Sequence, residues 1–145
     1  MAANAESSPG RPPEVGACTV CFNVRDVKRS SGFYAKLGFR VTAGSVEEHW
    51  VVMEHGGFKL GLYQGHIESN LLNFRGGDVF AIAAYLQAQG LKLRTAAQIE
   101  SDGSTGATIV DPDGNVVYFN TAPDEKAGGR RQAQGEGRDS EGQGR

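Results

Sequence analysis

Apolar positions along this chain fall into two patterns. Val20, Phe22 and Val24 alternate with Thr19, Cys21 and Asn23. That is the period-two signature of a strand with one buried face. Elsewhere the spacing is helical: Val27, Phe33, Tyr34 and Leu37 form one stripe, and Val79, Ile82, Ala83 and Leu86 another. Asp26 and Asp78 stand where N-caps belong, because a carboxylate there accepts the free N–H groups of a first helical turn. Gly38 and Gly90 stand where glycine ends a helix.

These signals repeat. Asp26-Val27 is followed by Phe33, Gly38, Phe39 and Val41, and Asp78-Val79 by Tyr85, Gly90, Leu91 and Leu93, each 52 positions after its counterpart. A strand precedes each helix, at 18–24 and 70–74, and a short strand follows, at 39–41 and 91–93. Each copy closes with a hairpin: 50–53 turns through Glu54-His55-Gly56-Gly57 into 58–63, and 107–110 turns through Asp111-Pro112-Asp113-Gly114 into 115–120. Gly57 and Gly114 are 57 positions apart, so the second copy has a longer loop, placed at 98–106 by its Ser, Gly and Asp content. Each copy therefore reads βαβββ, and the fold class is α+β. Two such modules, each with one helix on one face of its strands, can pair into a curved, mostly antiparallel sheet around a cleft between the bare faces.

Composition bounds the folded part. Hydrophobic residues make up 39% of the 145, and the deficit lies at the ends. Residues 124–145 contain six Gly, four Arg and three Gln, with no aromatic or branched aliphatic side chain. Such segments bury too little apolar surface to offset the entropy of ordering them. The expected organisation is a disordered tail at 1–16, a domain at 17–122 with modules at 17–66 and 68–121, and a second disordered tail at 123–145. The domain of about 105 residues is large enough for a core of its own. A net charge of −2 does not suggest nucleic acid. No apolar run approaches the roughly 18 residues of a membrane helix, and the first residues lack a signal-peptide pattern. A cytoplasmic protein is expected. Cys18 and Cys21 are spaced like a redox or zinc motif, but residues three apart on a strand face opposite sides, so the thiols should diverge.

The stretch Asn23-Val24-Arg25-Asp26-Val27, with Ser30, Phe33, Tyr34, Leu37, Gly38 and Phe39 at their spacings, resembles the first-module signature of the glyoxalase / bleomycin-resistance / dioxygenase (vicinal oxygen chelate) superfamily. Asp111-Pro112-Asp113-Gly114-Asn115 resembles its second-module hairpin. The resemblance implies two paired βαβββ modules around a pocket, and frequent homodimerisation. Its members include metal-dependent isomerases, epoxide hydrolases, thiol transferases and dioxygenases, and also metal-free proteins that sequester antibiotics. In metal-binding members each module offers ligands from its first and last strands. The pattern places those positions at Thr19, Leu71, Gly61 and Tyr118. Leucine and glycine side chains cannot coordinate, and threonine and neutral tyrosine are weak donors for a divalent ion. No metal and no cofactor is expected.

Strand parity assigns the cleft lining. Lys59, Gly61 and Tyr63 should face inward from one last strand, and Tyr118 and Asn120 from the other. Thr19, Asn23, Asn73 and Arg75 should do so from the first strands, with Trp50 beside them. The candidate ligand-binding set is therefore Thr19, Asn23, Trp50, Lys59, Gly61, Tyr63, Asn73, Arg75, Tyr118 and Asn120. Gly61 reads either as space for a ligand or as a bend in the sheet. An inward Asn73 needs a polar partner that strand ladders do not supply. The function that follows is metal-independent binding or sequestering of a small molecule. Two alternatives stand. One is a glyoxalase-like enzyme (lyase, isomerase or dioxygenase) with non-standard ligands or acid–base chemistry through Glu54, Glu68, His66, Tyr63 or Tyr118. The other is a protein-interaction module whose cleft is collapsed around its own Tyr, Leu and Trp side chains.

Overall fold

A computed structural model describes residues 10–123. Among them are strands β1 (Gly16–Asn23), β2 (Arg40–Ser45), β3 (Trp50–His55), β4 (Phe58–Tyr63), β5 (Leu71–Gly76), β6 (Thr95–Ile99), β7 (Thr105–Val110) and β8 (Val116–Thr121). Helices α1 (Val27–Lys36) and α2 (Val79–Ala88) follow β1 and β5. Both helices start on an aspartate cap: Asp26 accepts from the N–H groups of Lys28 and Arg29, and Asp78 from that of Ala81. Gln64 adds its side-chain carbonyl to the N–H of Val27 at 2.8 Å. Both helices end alike. Gly38 and Gly90 take left-handed φ values of 107° and 88°. Their N–H groups bond to the carbonyls of Ala35 and Gln87, and the next residues, Phe39 and Leu91, reach back to Tyr34 and Leu86. This double closure satisfies the last carbonyls and favours glycine at the turn, which a Cβ would strain.

The strands form one open, curved, mixed sheet in the order β2-β3-β4-β1-β5-β8-β7-β6. Only the β1–β4 and β5–β8 seams are parallel. The modules meet inside one chain, along the antiparallel β1–β5 seam. Its register makes the repeat a twofold: Val20 pairs with Leu72, its own counterpart 52 positions on. The outer seams obey the same relation, with Cys21 opposite Gly61 and Asn73 opposite Tyr118.

Each module has its own core on the helix side. Val27, Val51, Met53, Leu60 and Leu62 pack under α1, and Val79, Ile82, Ala107 and Phe119 under α2. Phe58 is 46% exposed and touches Phe39 edge-on.

Two sequence expectations need correction. Leu91-Lys92-Leu93 is not a strand; β6 begins at Thr95, and its register with β7 shifts between Thr95 and Gln98. The loop expected at 98–106 is shorter, because Gln98 and Ile99 belong to β6, and Thr105 and Gly106 to β7. Apolar spacing cannot see this, since edge strand β6 buries little. β1 begins at Gly16, and Val15 packs on the α2 core. The remainder of the expected tails, 1–9 and 124–145, lies outside the described residues. No helix among the described residues is long and apolar enough to cross a membrane.

Candidate functional site

The face of the sheet opposite the helices carries the alternate residues of each strand, and ladder registers align them in rows. Thr19, Asn73, Tyr118 and Thr108 form one row across β1, β5, β8 and β7. Arg75, Asn120 and Gly106 form the next. In module one, Cys21, Gly61 and Val52 form a row, followed by Asn23, Tyr63 and Trp50. Comparing the two hairpins makes Val52 the counterpart of Thr108, Gly61 of Tyr118, Trp50 of Gly106 and Tyr63 of Asn120. The modules share a backbone but line their halves of this face with different chemistry.

Module one fills its own half. Tyr63 lies back over Gly61, where a Cβ would come within 2.7 Å of the ring carbon Cε2. Its ring is parallel to that of Trp50, with centroids 6.1 Å apart, and it hydrogen-bonds the Cys21 side chain. Gly61 thus makes room for a side chain of the same strand rather than for a ligand. Cys21 is 3% exposed, and burial drives its thiol up to about 12, so it stays protonated. Cys18 is on the other face and exposed, as strand parity requires. Asn23 sits at the rim and holds the inter-module connection: its N–H bonds to Asn70 Oδ1 at 2.8 Å, and its side-chain amide reaches the Glu68 carbonyl at 3.5 Å. Lys59 is exposed near the β3–β4 turn, opposite Glu54, away from the polar rows.

Module two leaves its half chemically open. Asn73 Oδ1, Thr108 Oγ1 and Asn120 Oδ1 are buried without a hydrogen-bond partner. All three lie in the two adjacent rows around Tyr118. Burial pushes the Tyr118 phenol up, Glu100 and Asp102 add to the shift, and Arg75 opposes it. The phenol is therefore a protonated donor at neutral pH. Glu100 reaches this face from the β6–β7 loop. Asp102 Oδ1 accepts from the N–H of Ser104 at 2.9 Å and from its hydroxyl at 2.6 Å, and Gly103 adopts φ 89°. The N–H of Glu100 bonds to the Ser104 carbonyl, closing the loop. This places Glu100 Oε2 3.0 Å from where a Cβ on Gly106 would sit.

Sequence reasoning had Asn73, Tyr118, Asn120, Arg75 and Thr19 on this half of the face. It missed Thr108, Gly106 and Glu100. Thr108 was within reach of strand parity once the β7 register was known. Glu100 carried no signal, because only the folded loop brings it over β7.

The four positions that the family pattern offers a metal do not suit one. Thr19 and Tyr118 present a hydroxyl and a protonated phenol, while Gly61 and Leu71 present no donor atom. Among the described residues, no three His, Cys, Asp or Glu side chains come together. The histidines are dispersed. His49 closes a one-turn 3-10 segment with φ 68°. His55 lies against Phe39 at 5.3 Å. His66 Nε2 sits 3.1 Å from the Glu48 carbonyl. Of the acid–base candidates, Tyr63 and His66 meet edge to face with ring centroids 6.3 Å apart, while Glu54 pairs across β2–β3 with Arg40, far along the sheet from Tyr118.

No family model and no curated protein sequence matches this chain. Its fold is nonetheless shared with solved structures. It is similar to the NAD-dependent benzaldehyde dehydrogenase from Legionella pneumophila, with TM-score 0.62 and 19% identity, over 73% of this chain and 99% of that one. It is similar to a glyoxalase/bleomycin resistance protein/dioxygenase superfamily member from Vibrio splendidus, with TM-score 0.54 and 17% identity, over 72% of this chain and 97% of that one. A hypothetical protein from Bacillus halodurans matches at TM-score 0.54 and 11% identity, over 77% of this chain and 95% of that one. At these identities the likeness is one of fold.

Proposed function

We propose that this chain, which has the fold of the glyoxalase/bleomycin resistance/dioxygenase superfamily, binds a small molecule on the bare face of its sheet, in the half built by module two. It does so without metal-centred chemistry. The reading is carried by three buried acceptors, on Asn73, Thr108 and Asn120, that nothing in the fold satisfies. Leaving such an atom unpaired costs about 1–3 kcal/mol, and apolar side chains would have filled those positions at no such cost. A ligand that supplies N–H or O–H donors recovers that cost on binding. Homodimerisation is part of the same proposal. A cleft collapsed for protein interaction fits the Trp50–Tyr63 half but not the half with unpaired acceptors.

The test is a fragment screen on the full chain labelled with nitrogen-15. Bound fragments should move the side-chain amide signals of Asn73 and Asn120. Fragments that cluster instead on the shallow groove lined by Arg25, Asp26, Arg29, Ser30, Phe33 and Tyr34, or that bind nowhere, would overturn the reading.

A further inference from the structure

We propose that the groove along α1 is a docking surface for an acidic peptide segment of a partner protein. Its carboxylates would lie at the Arg25–Arg29 end and an apolar anchor at the Phe33 end. The surface is on the helix side of the sheet and does not depend on the reading of the bare face. The groove has a volume of about 400 Å³ and is lined by Arg25, Asp26, Arg29, Ser30, Phe33 and Tyr34. Arg29, Phe33 and Leu37 are four residues apart, so they form one row along the helix. Arg25 extends that row at its N-terminal end. All four are exposed, Phe33 by 58% and Leu37 by 55%. The row is therefore basic at one end and apolar at the other. The fold does not require it. The 52-residue offset puts Gly77, Ala81, Tyr85 and Gln89 at the corresponding positions of module two, so the equivalent helix does without charge there.

The charge in the groove is available. Among the described residues, no hydrogen bond or ion pair engages either guanidinium. Asp26, the one acid in the groove, is committed to the helix cap: its Oδ1 accepts from the N–H groups of Lys28 and Arg29, each at 3.1 Å. Residues 25–36 carry four cationic side chains against that one carboxylate, in a chain whose total charge is −2. Guanidinium forks pair with carboxylates in a two-bond geometry. The apolar end presents Phe33, edge to face with Tyr34 at 5.0 Å between centroids. A segment with acids followed by an apolar side chain matches both ends. The lengths match too: the row from Arg25 to Leu37 is roughly 18 Å at the helical rise, and six residues of extended chain span roughly 20 Å. The order of the row selects among anionic partners. A nucleic-acid backbone repeats its charge along its length and would set phosphates against Phe33 and Leu37. An anionic bilayer favours an apolar face along the whole helix, with cations at its edges, rather than cations and apolar groups in succession.

The probe is a fluorescein-labelled hexapeptide, four acidic residues followed by leucine and phenylalanine, titrated with the full chain and followed by anisotropy. A control peptide with amides in place of the acids should bind at least about tenfold more weakly, the scale of two exposed ion pairs. Replacing Arg25→Gln and Arg29→Gln together should weaken the acidic peptide about tenfold and leave the amide control within about twofold. Phe33→Ser should weaken both peptides. Urea midpoints should stay unchanged in these variants, because the side chains are exposed. In nitrogen-15 spectra the acidic peptide should move the backbone signals of residues 28–37 and leave the side-chain amides of Asn73 and Asn120, on the other face of the sheet, in place. Equal binding of the two peptides, an unaltered affinity in the double arginine variant, or shifts confined to the bare face would overturn the proposal. Co-sedimentation of the chain with phosphatidylserine vesicles in the absence of peptide binding would also overturn it, in favour of a membrane. Self-association that Phe33→Ser abolishes would do so in favour of a second copy of the chain.

Discussion

Replacing Thr108 by valine should make the protein more stable. The two side chains have nearly the same shape, so the change exchanges a hydroxyl for a methyl and little else. Thr108 Oγ1 is buried with no partner, and a hydroxyl held that way costs about 1–3 kcal/mol. Removing it should return stability within that range. Thr121 is the control. It is 5% exposed and its hydroxyl donates to the Gly77 carbonyl. Thr121→Val discards that bond and leaves the carbonyl unmet, so it should destabilise by about 1–3 kcal/mol. The same chemical change is thus expected to take opposite signs at two β positions of module two. Urea unfolding followed through Trp50, the single tryptophan, resolves this. The midpoints should move in opposite directions with m unchanged, and 1 kcal/mol corresponds to about 4–8 °C in Tm for a domain of this size. A destabilised Thr108→Val would mean that the hydroxyl is satisfied in solution, and the argument from unpaired acceptors to a ligand would fail.

Further consequences concern the thiols, the alkaline limit and Gly61. One thiol per chain, that of exposed Cys18, should react with a disulfide reagent in native protein, and both in denaturant, because Cys21 is buried and protonated; two equivalents in the native state would refute the placement of Cys21. The thiol of Cys21 and the phenol of Tyr118 have folded pKa values above their ordinary ranges, so the folded state holds protons that the unfolded state has released. Their stabilisation is complete below about pH 8.5, the ordinary thiol value, and is lost as pH rises toward about 12, the folded value for Cys21. The slope for one such group is about 1.4 kcal/mol per pH unit. Cys21→Ala should flatten the first part of that decline in urea midpoints, and an identical slope would contradict it. Gly61→Ala should push the Tyr63 ring off its seat, since the new methyl would lie 2.7 Å from Cε2; the expected cost is about 1–3 kcal/mol, with a change in near-ultraviolet dichroism from the Trp50–Tyr63 pair, and an unaltered spectrum would show that Tyr63 does not lie over Gly61.

Local chemistry was legible because it is written in neighbouring residues. Asp26, Asp78, Gly38 and Gly90 cap their helices through bonds that span at most five positions, and the 52-residue repeat is visible as identity of spacing. Strand parity assigned the faces because alternate side chains on a strand always diverge. So Asn73, Tyr118 and Asn120 could be placed on the bare face before any register was known. The edge strand β6 was not legible, since an edge that buries little has little need of an apolar pattern. Nor could sequence say whether Gly61 left space for a ligand: Tyr63 lies only two positions away, but whether its ring turns back over the glycine depends on packing against Trp50 on a neighbouring strand. The surroundings of Tyr118 needed more still, namely ladders that align Asn73, Thr108 and Asn120 around it, a loop folded on Asp102 to deliver Glu100, and burial deep enough to strand three acceptors. Periodicity and capping are properties of adjacent residues and survive in the one-dimensional chain; an unpaired acceptor is a property of what fails to arrive from elsewhere, and only the assembled sheet decides it.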